Sequence, residues 1–284
     1  MRRRLADRAF TLAIVSSAIL VLGILATIAG SVLARGAGAV TFTFLTEQIR
    51  SVGAEGGVFY HLAGTLILVA TAAAVAVPLS TGLALTSEVY VSGGRRRQIL
   101  EGTLHALNAI PSIVFGLAGL AFFVVLLGWK KSWLAGGIVL GIMIVPTVTV
   151  ALVEKLRAIP RATIEAARGL GLPLPALVTT VLLPQAASGL VTGTLLGLAR
   201  AAGETAPIMF TAVIFAGATI PHGIADSPVL ALPYHIFVMS QDSYDPRVAS
   251  KVWGTAVVLL GLVSLAAIAA LPYRMRIHEE ARHA

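Results

Sequence analysis

Arg200 and Glu204 stand four residues apart inside an otherwise apolar stretch, Leu198-Ala199-Arg200-Ala201-Ala202-Gly203-Glu204-Thr205-Ala206-Pro207. On a helix that spacing puts both side chains on one face, where they can pair. An ion in hydrocarbon costs about 2.5–3.5 kcal/mol on insertion scales, so such residues face an interior cavity or a pathway rather than lipid. The arginine fork donates two parallel hydrogen bonds and keeps its charge, which suits an oxyanion. Glu204 could hold Arg200 when no anion is present and release it when one arrives. The plainer reading is a fixed salt bridge that locks two helices. Ser112, Thr205 and Thr211 supply hydroxyls that could donate along a pathway, although small hydroxyls in packed spans more often make helix contacts.

Other chemistry is missing. None of the four lysines (Lys130, Lys131, Lys155, Lys251) follows a glycine, so the chain has no phosphate-cradling GxxxxGK[ST] loop and is not itself an ATPase. No GxSxG occurs, which argues against a serine hydrolase. With no cysteine, thiolate metal sites and cysteine nucleophiles are excluded. His278 and His283 flank Glu279 but lie five apart, not the four that aligns two ligands, so that tail reads as a solvated end. His61, His105, His222 and His235 are scattered and suggest no cluster.

The elements that must position these residues are membrane helices. Of 284 residues, 57% are hydrophobic and 12% charged, roughly half the charge of a soluble domain. A crossing helix needs about 20 apolar residues, and the pattern predicts six, near Phe10–Ala34, His61–Leu85, Leu107–Leu127, Trp133–Val153, Leu183–Ile214 and Val252–Tyr273. The first run is too long for a signal peptide and reads as a retained anchor. The fifth is long for one crossing and is expected to start in the interface or bend at Pro184 or Pro207. With the N-terminus inside, inner segments hold fourteen basic residues and outer segments six, which predicts both termini in the cytoplasm. The net charge of +8 therefore serves topology rather than nucleic acid. The expected organisation is one transmembrane domain over 1–284, with an inner loop at about 155–184 and a long outer loop at about 217–251, where Pro221, Pro228, Pro233 and Pro246 limit regular helix.

The inner loop carries the most specific pattern. Glu165-Ala166-Ala167, three residues, Gly171, nine residues, Val181, one residue and Leu183-Pro184 resemble the EAA loop of ABC importer permeases, with valine in place of the usual isoleucine. Pro160 suits a helix start, where its missing N–H does no harm. Gly171 permits a sharp turn, and a second short helix follows Pro173 or Pro175. Such a knob fits a partner's groove. The resemblance implies that the groove belongs to an ATPase subunit and that the knob transmits nucleotide-driven closure. The bland alternative is an ordinary amphipathic loop.

Ile110-Pro111-Ser112-Ile113-Val114-Phe115-Gly116-Leu117, Glu154-Lys155-Leu156-Arg157 and the Arg200–Glu204 span narrow the resemblance to PstA-type permeases of bacterial phosphate ABC importers, from about residue 60 to the last span. Ala206-Pro207-Ile208-Met209-Phe210-Thr211 favours that side of the permease pair. Leu85-Thr86-Ser87-Glu88-Val89-Tyr90 departs from it, since an acidic-tyrosine ending is expected nearer the membrane. The resemblance implies an all-α type I importer permease fold in the plasma membrane, with Arg200, Glu204, Ser112 and Thr205 on the pathway. Glu165, Ala166, Ala167, Gly171, Leu183 and Pro184 would belong to the coupling loop. It implies no cofactor on this chain, ATP and Mg on a dimeric PstB-type ATPase, a PstC-type partner permease and an extracytoplasmic phosphate-binding protein. Rival readings are a permease for molybdate, sulfate or phosphonate, an ion-driven carrier working alone, and a membrane enzyme.

Overall fold

A computed structural model describes residues 2–50, 55–91, 93–215, 217, 220–241 and 245–269, with side chains from Phe10 onward. Twelve α-helical segments occur among them: α1 (Arg2–Gly36), α2 (Phe42–Thr46), α3 (Phe59–Leu85), α4 (Arg95–Ala109), α5 (Ser112–Gly119), α6 (Trp133–Arg157), α7 (Arg161–Gly169), α8 (Leu174–Leu177), α9 (Leu183–Gly203), α10 (Ala206–Thr211), α11 (Leu232–Met239) and α12 (Pro246–Ala269). Among the described residues no strand forms, only isolated bridges. Five helical stretches are long and apolar enough to cross a membrane, and a bent pair can make the sixth.

α6 is the axis of the bundle. In its most apolar window 72% of residues are buried, against 17% in α12 and none in α1. Its 25 residues make a rod of about 38 Å, enough for the hydrocarbon core. Ser132 starts it by accepting from the Ala135 N–H at 3.2 Å. Small residues let its neighbours close in. Gly189, Gly193 and Gly197 on α9 recur every four residues against α6, and a Cβ at Gly193 would stand 2.8 Å from the Ala151 Cβ and 3.0 Å from the Val148 Cα. Such stripes bring backbones together where no hydrophobic drive exists between helices. On the other flank, the Ser80 hydroxyl of α3 donates to the Val145 carbonyl of α6 at 3.1 Å. The main core lies between these three helices, around Leu68, Ala72, Leu140, Met143, Ile144 and Ala201.

α1 stands apart. Phe10, Leu12, Ile19 and Leu22 are each more than 60% exposed. It meets α12 near its end, where Arg35 lies over the Trp253 ring at 5.1 Å.

Three predicted spans are corrected. The third is not a straight helix over Leu107–Leu127: α4 ends at Ala109, and α5 with its π-helical continuation to Leu126 leaves at 94°. Pro111 lacks the N–H that would continue α4 and holds Ile110 in an extended conformation (ψ 129°). The fifth, expected to bend at Pro184 or Pro207, bends only at the second, and its start is corrected: it begins at Leu174, passes Pro184 without a break and ends at Gly203. A π-helical turn at Val178–Leu182 precedes Pro184, locally rearranging the hydrogen bonds that the proline ring would disturb. The bend considered at Pro184 does not occur, and the same helix continues through it. The break comes at Glu204–Thr205 because Pro207 sits in the first turn of a new helix, α10. The sixth starts earlier than Val252, at Pro246, and its predicted end at Tyr273 lies outside the described residues. The loop expected over 217–251 is correspondingly shorter and contains α11, with Pro233 in its first turn, where proline is tolerated.

Candidate functional site

The two helix breaks face one another. Gly116, in the second turn of α5, packs so closely on the start of α10 that a Cβ there would lie 2.9 Å from the Ala206 carbonyl oxygen and from the Pro207 Cα. Gly197, nearly one turn before Arg200, packs on Ile144, close to the middle of α6. The breaks therefore lie level with the inner part of α6, well away from both of its ends. Non-helical backbone at that depth survives only where it is buried in protein or lines a watery cavity.

Arg200 occupies the last turn of α9, and Glu204 follows as its extended C-cap (φ −78°, ψ 129°). Arg200 Nε donates to Glu204 Oε1 at 3.3 Å and Nη1 donates to Asn108 Oδ1 at 3.3 Å. Both contacts are long for a charged donor, whose usual range to a carboxylate is about 2.7–2.9 Å. The side chains are 36% and 19% exposed, so the pair is sheltered but reachable. A loosely held guanidinium at a helix break can exchange its present acceptors for an anion.

Of the sequence candidates, the structure brings Arg200 and Glu204 together. Ser112 and Thr205 occupy corresponding places, each at the start of the helix that follows its break, and both are half-buried. Thr211 is different: it is fully buried and donates to the Pro207 carbonyl at 2.8 Å, a packing role. Asn108 was not among the candidates. Its signal in the sequence is slight, a lone amide three residues before Pro111. Lys131 also escaped notice: its ammonium donates to the Met209 and Val213 carbonyls at 2.8 and 3.2 Å and so holds the end of α10. Partial burial of Lys131 lowers its pKa.

At one end of the bundle α7 and α8 form a hairpin. Pro160 caps α7, Ala167 is buried, and Glu165, Ala166 and Arg168 are exposed. The two alanines of the pattern thus part, one packed inward and one presented outward. Gly171 has φ +78° with no atom within 4 Å of a would-be Cβ, so its need is for backbone freedom rather than space. Leu170 beside it is 82% exposed. Pro173 caps α8; Leu183 and Pro184 open α9, half-buried and exposed respectively. The hairpin's inner face joins Leu152, Leu156, Leu177 and Leu182 in a second core.

Two of the scattered histidines meet. The end of α3 that meets α11 brings His61 and His235 into ring contact at 4.4 Å, both 3% exposed. Among the described residues no group of three or more potential metal ligands forms. His278, Glu279 and His283 lie outside them.

The family model for a binding-protein-dependent transport system inner membrane component matches residues 76–277. A phosphate transport system permease protein PstA of Mycobacterium leprae is 32% identical over 270 residues, covering 93% of this chain and 87% of that protein. PstA 1 of Mycobacterium tuberculosis is 31% identical over 280 residues, covering 96% and 89%. Among solved structures, a chain of the MetNI methionine ABC transporter in an inward-facing conformation superposes with TM-score 0.58 at 20% identity, over 78% of this chain and 94% of that one.

Proposed function

Since this chain belongs to the family of binding-protein-dependent transport system inner membrane components, we propose that it is one permease half of an ATP-driven importer of inorganic phosphate. The observation that carries the cargo is the 32% identity to a PstA permease across 93% of the chain. The site's chemistry agrees with it. A guanidinium near mid-membrane, loosely held by a carboxylate and an amide, suits a tetrahedral oxyanion.

The second half of the pathway comes from a homologous PstC-type permease facing the breaks. The α7–α8 hairpin docks in a groove of a dimeric PstB-type ATPase, where ATP and Mg are bound, and lies in the cytoplasm with both termini. An extracytoplasmic binding protein delivers phosphate to the opposite end. In this reading Arg200 meets the anion, Glu204 and Asn108 release the guanidinium to it, and Ser112 and Thr205 donate from the two breaks. Glu165, Ala166, Ala167, Gly171, Leu183 and Pro184 belong to the coupling hairpin and its root.

Purification of the complex in mild detergent should recover a second permease and an ATPase, and cells carrying it should take up labelled phosphate. Excess molybdate, sulfate or phosphonate should leave that uptake in place. Competition by one of them as effective as by unlabelled phosphate would reassign the cargo, and recovery of the chain without an ATPase would refute the class.

A further inference from the structure

α4 is fastened at both ends by polar contacts. At its start, Arg97 donates to both carboxylate oxygens of Glu88, at 2.7 and 2.6 Å, and to Glu101 at 3.1 Å. Arg157 donates to Glu88 at 3.0 Å and to Glu101. Glu88 lies in the π-helical turn that ends α3, and Arg157 is the last residue of α6, so the network ties three elements together. At the other end of α4, Asn108 accepts from Arg200. Arg97, Glu101, Leu104 and Asn108 follow at intervals of four, three and four, which is one stripe of a helix, and Leu104 on that stripe is buried.

The network also touches the hairpin. Arg157 stands three residues before Pro160, which caps α7. Glu88, Arg97 and Arg157 line a cleft of about 420 Å³ together with Arg161 and Ile164 of α7 and with Leu182. A movement of α7 relative to the bundle therefore reshapes the cleft that the arginine gripping α4 lines. The 15 residues of α4 form a rod of about 22 Å, with internal backbone hydrogen bonds, that reaches from this network to Arg200.

Resting on the permease reading, we propose that α4 is the relay between the hairpin and Arg200: Arg157 and Glu101 pass the hairpin's movement to the helix, and Asn108 delivers it to the guanidinium. Glu101 and Arg157 are positioning residues in this scheme. Their side chains are 38% and 44% exposed, whereas Glu88 is 11% exposed. Exposed ion pairs contribute little to stability, so the Glu101–Arg157 contact is a mechanical joint, and Glu88 is the anchor.

The test uses the assembled complex in lipid discs. The chain has no cysteine, so spin labels can be placed through cysteines at Thr103, on the exposed face of α4, and at Leu265 on α12. The wild-type distance should change when ATP is added with the loaded binding protein. In Glu101→Gln that change should disappear while ATP hydrolysis continues, and ATP consumed per phosphate imported should rise about twofold to thirtyfold, the range expected along a coupled network. Glu101→Asp, which keeps a carboxylate between Arg97 and Arg157, should retain both readouts. A Glu101→Gln complex with the wild-type distance change and ATP cost would overturn the relay, as would a wild type in which α4 does not move, or a Glu101→Asp complex that loses both readouts. The binding protein is used as purified, with whatever it carries, so a wrong cargo would show instead as wild-type protein whose α4 moves without phosphate uptake.

Discussion

Asn108 and Arg200 lie 92 positions apart and meet because two helices break at the same depth. Arg200→Gln should leave an assembled complex with no phosphate uptake. Loss of one partner leaves the other charge unpaired and could abolish uptake through misassembly alone, so the swap of Arg200→Glu with Glu204→Arg is the sharper measurement. It keeps the net charge but moves the cation from the helix onto the extended cap, and we expect a stable, ATP-hydrolysing complex without transport. Substantial uptake by the swapped protein would instead assign the pair a scaffold role. Asn108→Leu removes one acceptor from the guanidinium. The contact is long, so its loss belongs at the low end for a charged hydrogen bond, about 1.5 kcal/mol; by cutting the link from α4 to Arg200 it should lower uptake at limiting phosphate by about tenfold, with assembly intact by size-exclusion chromatography. Arg200 and Glu204 could be paired from the sequence because their spacing is local. Asn108 could not, since its partner is supplied by tertiary structure alone.

Among the elements, the hairpin offers a clean separation of backbone from packing effects. Gly171 has φ +78° and open space around it, so Gly171→Val should strain the turn by about 1–3 kcal/mol without any clash. Gly171→Asn should be tolerated, because asparagine enters the left-handed region more readily. We expect the valine variant to insert yet fail to stimulate its partner's ATP hydrolysis, with the asparagine variant close to wild type. Equal stimulation by both would remove the turn from the coupling path. Gly193 is the converse case. Gly193→Val would press on Ala151 and the α6 backbone, and overpacking of this kind costs about 1–3 kcal/mol; a lower melting temperature of the purified complex is the measurement. The helices themselves were legible from apolar runs and prolines. The break beside Pro207 was one of the two places expected; the break at Pro111 was not foreseen, because whether a proline kinks, stops or starts a helix depends on what its neighbours pack against. The crossing at Pro184 shows the same ambiguity resolved by a π-helical turn.

For the whole molecule, the sequence yielded the class of fold, since apolar runs long enough to span a bilayer permit few alternatives. It did not reveal that α6 is the axis, which follows from where glycines on α9 meet it. Orientation can be tested with single cysteines in the cysteine-free chain. Ala162→Cys, on the hairpin, should resist an impermeant thiol reagent in intact cells, while Ile224→Cys, exposed at the opposite end, should react. Labelling at Ala162 would invert the protein and with it the docking of the ATPase.

The mid-membrane position of the two breaks has an electrical meaning. A full crossing of the membrane potential is worth about 2.3 kcal/mol per charge per 100 mV, so an anion resting at Arg200 has traversed roughly half of it. In the proposed orientation the cell interior is negative, and each remaining negative charge must be carried inward against the other half, about 1.2 kcal/mol per 100 mV. Arg200 leaves that electrical work unchanged, but by holding the anion at the halfway point it divides the crossing into two steps that each carry about half of it. Phosphate uptake into vesicles clamped at increasing inside-negative potential should therefore slow only gradually, and the release step should carry less than the full voltage dependence of the anion's charge.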